Sequence, residues 1–181
     1  MKKHIPNIIT GSRLLMVPLF VIFMVQRSFA AAAIVYLAAA LSDLLDGYLA
    51  RKWKVVSNFG KLADPLADKA IQICAILLLC IVGKLHFAFV VIMLIKEGLM
   101  IYGSYLLYKE KVVVYAVWYG KLATFLLNAA IFWILILNLG NAWTNSLIGI
   151  AMVSELIALS LYTKRYFKLK KQAAEKAGDS E

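Results

Sequence analysis

Four aspartates lie close together in an otherwise apolar part of the chain, at positions 43, 46, 64 and 68. Residues three or four apart in an α-helix share a face, so Asp43 lies on the same face as Asp46, and Asp64 on the same face as Asp68. If the two helices are antiparallel neighbours, all four carboxylates converge. Clustered carboxylates near hydrocarbon are costly unless protons or cations neutralise them, and cations are the better explanation here.

The four carboxylates are ligands of the kind that hard divalent cations prefer. Oxygen ligands without clustered His or Cys suit Mg²⁺, Mn²⁺ or Ca²⁺ better than zinc or copper. Bridging carboxylates suit two ions about 3.5 to 4 Å apart, which can clamp the attacking and leaving oxygens of a phosphoryl displacement. Gly47, Ala50 and Gly60 leave room for a ligand beside the carboxylates, and Arg51 can bind phosphate oxygens through two parallel hydrogen bonds. The alternative is a set of interfacial charges with small helix-packing residues.

The elements that must position these residues are membrane-spanning helices. The chain is 63% hydrophobic with a mean hydropathy of +0.80, and a helix needs roughly 20 apolar residues to cross a bilayer. The candidate spans are residues 6–26, 30–50, 61–82, 86–108, 115–138 and 144–163. Because these runs lack the two-residue alternation of membrane barrels, the sequence predicts an all-α integral membrane protein with six transmembrane helices.

Basic residues are distributed unevenly between the two sides of such a bundle. The N-terminus, the second and fourth connections and the tail hold 16 of the 20 Lys and Arg residues, whereas the opposite side holds only Arg27 and Lys84. Positive charge favours the cytoplasmic side, so both termini and the aspartates are expected in the cytoplasm. This distribution indicates membrane topology and no nucleic-acid partner. A cleaved secretory signal is disfavoured because Arg13 falls inside the first apolar run.

The domain organisation is simple. Residues 1–163 are predicted to form one transmembrane catalytic domain, and residues 164–181 a basic cytoplasmic tail, expected to be a frayed helix against anionic lipid. Cys74 and Cys80 lie within the third apolar run and are interpreted as small core residues.

The signature of a known family is present at its full spacing. It reads Asp43-x-x-Asp46-Gly47-x-x-Ala50-Arg51, eight residues, then Gly60-x-x-x-Asp64-x-x-x-Asp68. This pattern resembles the CDP-alcohol phosphotransferases, which have six helices and a cytoplasmic site. Pro6-Asn7-Ile8-Ile9-Thr10-x-x-Arg13 resembles the opening of bacterial phosphatidylglycerophosphate synthases. The resemblance covers residues 5–163.

The resemblance implies transfer of a phosphatidyl group from CDP-diacylglycerol to an alcohol, with release of CMP, in a bacterial plasma membrane. By this analogy two Mg²⁺ or Mn²⁺ ions are held by Asp43, Asp46, Asp64 and Asp68. Asp68 would also be the general base for the acceptor hydroxyl. The nucleotide would be bordered by Gly47, Ala50 and Gly60, with Arg51 on the donor phosphates. Members of the family often form homodimers through their third and fourth helices.

The acceptor is less clearly indicated. Glycerol 3-phosphate is the first expectation, and its charge requires cations such as Lys96 and Lys121. The family pattern predicts Arg at the first position and Gly-Lys-x-Lys-Thr around the second, whereas this chain has Lys96 and then Ala123 in place of the second lysine. Cardiolipin synthases, which use phosphatidylglycerol, are therefore the alternative. Lys121 could instead extend to the membrane surface, and Lys96 could pair with Glu97 or Glu155.

Ion or proton transport is the alternative from a different class of function. An ion or proton transporter also carries acids inside the membrane, but it needs them along a path through the bilayer. Here they cluster at one end beside small residues. A scaffold protein would need no metal cluster.

Overall fold

The computed structural model describes the backbone of residues 5–53, 58–109 and 118–178, and side chains within 15–42, 69–103, 105–106, 118–165 and at 167. In these residues the chain forms six α-helices and no β-strand. The helices are α1 (Ile5–Val25), α2 (Phe29–Trp53), α3 (Asn58–Ile81), α4 (Phe87–Lys109), α5 (Trp118–Ile136) and α6 (Asn141–Gly178).

The six helices follow the six predicted apolar runs, with the main difference at the last one. The sequence predicted a span ending at residue 163 followed by a frayed helical tail, and α6 runs through both without a break to Gly178. The hydrophobic pattern ends where lipid burial is no longer needed, whereas the helix continues because Lys, Ala, Gln and Glu are good helix formers. The basic tail is therefore helical as far as Gly178.

The ends of α1, α3 and α5 share one capping geometry. Each is followed by a residue with positive φ: Arg27 (56°), Gly83 (82°) and Asn138 (48°). In each case the next residue donates its backbone N–H to a carbonyl five positions earlier, as in the 2.9 Å bond from Ser28 to Phe23. This closes the last helical turn and reverses the chain within a few residues.

These three connections meet at one end of the bundle. We call residues 26–28, 82–86 and 137–140 the loop end. Lys84 Nζ donates to Asn138 Oδ1 and to the Leu139 carbonyl, both at 2.7 Å, and lies 4.7 Å from the centre of the Phe29 ring. Asn141 Nδ2 donates to the Gly83 carbonyl at 2.8 Å. Side chains therefore tie the connection after α3 to the connection after α5, and Lys84 also contacts the first residue of α2.

The helices pack around one apolar core. Helix α1 packs against α2 and α3, α5 packs against α2 and α6, and α4 packs against α3 and α6. The largest fully buried side chains include Phe20, Tyr36, Met93, Ile131 and Ile148. Apolar side chains also cover much of the outer surface, as expected for helices facing lipid.

Two segments in the described residues are long and apolar enough to cross a membrane, by length and composition alone. They are Trp118–Ile136 and Asn141–Arg165. Shorter apolar stretches occur at Leu15–Val25, Phe29–Ser42 and Lys69–Ile81. The all-α prediction is confirmed, while six membrane crossings remain a prediction.

Candidate active site

A cavity of about 760 Å³ lies between α2, α3, α4, α5 and α6. Much of its wall is apolar, with Phe125, Phe132 and Trp133 from α5 among the lining residues. Its polar and charged lining residues are Tyr36, Lys69, Lys96, Lys121, Thr124, Asn128, Glu155 and Tyr162, and Gly120 also lines it. The two lysines singled out from the sequence, Lys96 and Lys121, therefore line the same space although they belong to different helices.

The cavity adjoins the helical segments that carry the signature. On α2 its wall includes Leu41, two residues before Asp43, and on α3 it includes Lys69, the residue after Asp68. The side chains of the predicted metal and donor residues lie outside the described part of the structure. These residues are Asp43, Asp46, Gly47, Ala50, Arg51, Gly60, Asp64 and Asp68. Their backbone is helical throughout, so the predicted three- and four-residue intervals fall on real helices that contact each other.

Lys96 is the centre of a buried ion-pair cluster. Its Nζ lies 2.6 Å from Glu97 Oε1 and 2.5 Å from Glu155 Oε2, and Lys69 Nζ lies 2.9 Å from Glu97 Oε1. The exposed fractions of Lys96, Glu97 and Glu155 are only 5%, 9% and 6%. This confirms the alternative in which Lys96 pairs with Glu97 or Glu155, since it pairs with both. Two lysines and two glutamates balance in charge, which offsets the cost of burying them.

One oxygen of this cluster is left without a partner. Glu155 Oε1 is buried and, in the described part of the chain, accepts no hydrogen bond. A buried polar atom without a partner is destabilising, because it has lost its hydrogen bonds to water without replacement. The charge pairing of the cluster is therefore more complete than its hydrogen bonding.

Lys121 differs from Lys96 in its environment. It is exposed on the cavity wall and forms no ion pair with the described residues. Ala123, at the position where the family pattern predicts a second lysine, is buried and does not line the cavity. Lys121 is therefore the cation on this wall whose charge is not matched by a neighbouring carboxylate, as far as the described side chains extend.

Gly120 lets α5 and α6 approach closely beside Lys121. A Cβ at this position would lie 2.6 Å from Tyr162 Oη and 2.9 Å from Tyr162 Cε2, both closer than real side chains allow. The Tyr162 ring also packs edge-on against Tyr119, with 5.6 Å between ring centres. Any larger residue at position 120 would therefore force the Tyr162 ring to move.

A neutral polar contact joins three helices on another side of the cavity. Asn128 Oδ1 accepts hydrogen bonds from Tyr36 Oη at 2.6 Å and from Gln72 Nε2 at 2.9 Å. Tyr36 lies on α2, Gln72 on α3 and Asn128 on α5. This contact fixes the two signature helices against the helix that carries Lys121.

Several of these residues could not be identified as site residues from the sequence. Lys69, Asn128 and Glu155 are single polar residues within apolar runs, 27, 32 and 59 positions away from Lys96. The available signal was the cost of placing a charge or an amide inside a membrane helix, which suggested Glu155 as a possible partner of Lys96 but named no partner for Lys69 or Asn128.

Comparison with protein families settles the membership. The family model described as CDP-alcohol phosphatidyltransferase matches residues 3–161. The chain belongs to this family. CDP-alcohol phosphatidyltransferases are membrane-embedded and generally use divalent metals, so this all-helical chain is a membrane protein. The family predicted from the signature is confirmed.

Individual relatives carry more specific names. A CDP-diacylglycerol--glycerol-3-phosphate 3-phosphatidyltransferase of Mycoplasma genitalium is 44% identical over 103 residues, which cover 55% of this chain and 42% of the relative. One of the same name from Aquifex aeolicus is 29% identical over 173 residues, covering 92% and 97%. The chain thus spans less than half the length of the Mycoplasma relative but nearly all of the Aquifex one.

A relative with a different name also matches. A cardiolipin synthase (CMP-forming) and mitochondrial hydrolase fusion protein of Schizosaccharomyces pombe is 36% identical over 107 residues, covering 59% of this chain and 18% of the relative. The chain is therefore similar to relatives that are named for two different activities.

Proposed function

We propose that this protein transfers a phosphatidyl group from CDP-diacylglycerol to glycerol 3-phosphate, giving phosphatidylglycerophosphate and CMP. The observation that carries the proposal is the cavity beside the signature helices, with Lys121 exposed on its wall and not neutralised by a described carboxylate. A small acceptor bearing a phosphate needs such a cation. The names of the Mycoplasma and Aquifex relatives support the same reaction.

The residues present suit a pair of divalent cations. Asp43 and Asp46 on α2, and Asp64 and Asp68 on α3, offer only carboxylate oxygens, and they recur at helical intervals along helical backbone. These are the ligands that Mg²⁺ and Mn²⁺ prefer. When bound, the ions would draw charge from the donor pyrophosphate and improve CMP as a leaving group.

The protein's own side chains have separate roles in this scheme. Asp68 accepts the proton of the acceptor hydroxyl as that oxygen attacks the β-phosphorus of the donor. A new oxygen–phosphorus bond forms, and the bond from the β-phosphorus to the CMP oxygen breaks. Arg51 binds the donor phosphates, while the nucleotide lies against Gly47, Ala50 and Gly60. Lys121 binds the acceptor phosphate. Lys96 contributes to the same wall by holding its ion-pair partner Glu155 in place.

The proposal includes the membrane arrangement. All six helices cross the plasma membrane of a bacterium, with both termini and the aspartates on the cytoplasmic side. Arg27 and Lys84, the two basic residues assigned to the opposite side, lie at the loop end. A C-terminal tag that is accessible from outside intact cells would contradict this arrangement. The homodimer implied by the family remains a prediction.

A second acceptor is supported by specific observations. The cavity wall is largely apolar, Ala123 supplies no cation, and one relative is named as a cardiolipin synthase. Phosphatidylglycerol is therefore the alternative acceptor.

Purified protein in vesicles that contain labelled CDP-diacylglycerol separates the two functions. We expect labelled lipid product and CMP when glycerol 3-phosphate and Mg²⁺ or Mn²⁺ are added, and no product when a chelator removes the metal. Product with phosphatidylglycerol but not with glycerol 3-phosphate would reverse the assignment. Product that persists in chelator would refute the role of the metals.

A further inference from the structure

The Glu155 carboxylate is held in one orientation by its neighbours. Its Oε2 accepts a hydrogen bond from Lys96 Nζ, which also contacts Glu97 Oε1, and Glu97 is held in turn by Lys69. These contacts join α6 to α4 and α4 to α3. Because Oε2 is fixed by Lys96, Oε1 cannot rotate toward that lysine without breaking the shortest contact in the cluster.

Glu155 lies on the cavity wall and carries a buried acceptor, its Oε1 atom. Glu155 is 6% exposed and lines the cavity, and Oε1 receives no hydrogen bond from the described residues. Most buried polar atoms in folded proteins have a partner, so an unpaired carboxylate oxygen on a residue that lines a cavity points to a donor from a ligand. Glu97 belongs to the same cluster but does not line the cavity.

We propose that Glu155 Oε1 accepts a hydrogen bond from the hydroxyl of the acceptor that does not react. This rests on the proposed function, because glycerol 3-phosphate carries two hydroxyls and only one attacks the donor. The other hydroxyl remains a donor throughout the reaction. Glu155 on α6 and Lys121 on α5 line the same cavity, so the middle hydroxyl and the phosphate of the acceptor meet opposite charges.

This arrangement orients the acceptor as well as binding it. A carboxylate attracts a hydroxyl donor and repels a phosphate, whereas Lys121 attracts the phosphate. An acceptor bound with its phosphate toward Glu155 would place two anions together. Glu155 therefore selects an acceptor with a neutral hydroxyl next to the reacting one, and it disfavours the reversed orientation.

The test compares two substitutions with two acceptors, using the full chain in vesicles with saturating CDP-diacylglycerol. Glu155→Gln and the matched control Glu97→Gln each remove one carboxylate partner of Lys96. In Glu155→Gln the amide oxygen stays on Lys96 and the NH₂ group faces the cavity, where it cannot accept a hydrogen bond. The acceptors are glycerol 3-phosphate and 3-hydroxypropyl phosphate, which lacks only the middle hydroxyl.

We expect Glu155→Gln to raise the KM for glycerol 3-phosphate about tenfold, the typical effect of losing a hydrogen bond to a charged group. The KM for 3-hydroxypropyl phosphate should change less than about twofold, because no such bond exists to lose. Glu97→Gln should change both KM values by the same factor. The unsubstituted protein should use 3-hydroxypropyl phosphate about tenfold less efficiently than glycerol 3-phosphate.

Equal penalties for the two acceptors in Glu155→Gln, or a pattern identical to that of Glu97→Gln, would overturn the inference. If Glu155→Gln does not fold, the unsubstituted protein still decides, since equal kcat/KM for both acceptors also overturns it. Failure of the unsubstituted protein to use glycerol 3-phosphate at all would instead refute the proposed function.

Discussion

The loop end and the cavity use polar side chains in opposite ways. At the loop end, Lys84 donates to two oxygens at 2.7 Å and lies over the Phe29 ring, so its charge and its hydrogen bonds are used within the protein. Burial lowers the pKa of Lys84 from its ordinary value. On the cavity wall, Lys121 lacks an ion pair with any described residue, and Glu155 Oε1 lacks a hydrogen bond from them.

The difference separates structural polar groups from those available to a ligand. Both regions contain buried or partly buried lysines that contact oxygens, so the presence of a lysine in an apolar bundle does not by itself indicate a site. The unmet hydrogen-bonding capacity beside an open volume is more informative. Substitutions at the loop end should therefore change stability, whereas substitutions at the cavity and the adjoining signature should change catalysis.

The largest expected effect is at the signature, next to the cavity. Asp68→Asn removes the proposed proton acceptor and one proposed metal ligand, and we expect turnover to fall by about 10² to 10⁴-fold. The rate of CMP release by purified protein in vesicles measures this, with circular dichroism as the control for helix content. Near-normal turnover in a folded variant would remove Asp68 from the mechanism.

A smaller effect is expected where α5 and α6 meet at the cavity. Gly120→Ala places a methyl group against the Tyr162 ring and should lower the free energy of unfolding by roughly 1 to 3 kcal/mol, as overpacking usually does. Thermal unfolding in detergent and the KM for the acceptor are the measurements, and both should change because Gly120 adjoins Lys121.

The matched control for this substitution is Gly103→Ala in α4. Among the described residues, apart from its two chain neighbours and its own helical backbone, no atom lies within 4 Å of a Cβ built at Gly103, so alanine there should be neutral or stabilise the helix by up to about 1 kcal/mol. Equal effects at positions 103 and 120 would show that the close contact with Tyr162 is not important.

The smallest effect is expected at the loop end. Lys84→Met removes two hydrogen bonds that are partly open to solvent, and we expect a loss of roughly 1 kcal/mol in the free energy of unfolding. The melting temperature should fall by a few degrees, with kcat and KM unchanged. A change in acceptor KM as large as that of a cavity variant would contradict the comparison.

The sequence predicted much of the fold because membrane helices leave a strong local signal. Runs of about 20 apolar residues are visible without knowledge of packing, and six of them correspond to the six described helices. The tail beyond residue 163 was expected to be a frayed helix, but its unbroken continuation of α6 as far as Gly178 was not predicted, since hydropathy reports where lipid burial ends and not where helical hydrogen bonding ends.

Only the part of the site whose residues lie close together in the sequence could be predicted. The signature is a short pattern. It predicted membership of the CDP-alcohol phosphatidyltransferases, and the family model confirms this prediction. The cluster around Lys96 depends on which faces of α3, α4 and α6 meet, over separations of 28 and 59 residues. Sequence reasoning offered Glu97 and Glu155 as alternatives for Lys96, whereas packing brings both into contact with it.

The central claim is that the cavity binds a phosphate-bearing acceptor while the loop end only holds the helices together. It is tested most directly by the KM for glycerol 3-phosphate in Lys121→Met and Lys84→Met, measured side by side in vesicles with saturating CDP-diacylglycerol. We predict a rise of about tenfold or more for Lys121→Met, from loss of a charge-assisted contact, and no change for Lys84→Met. Equal KM values in the two variants would contradict the claim.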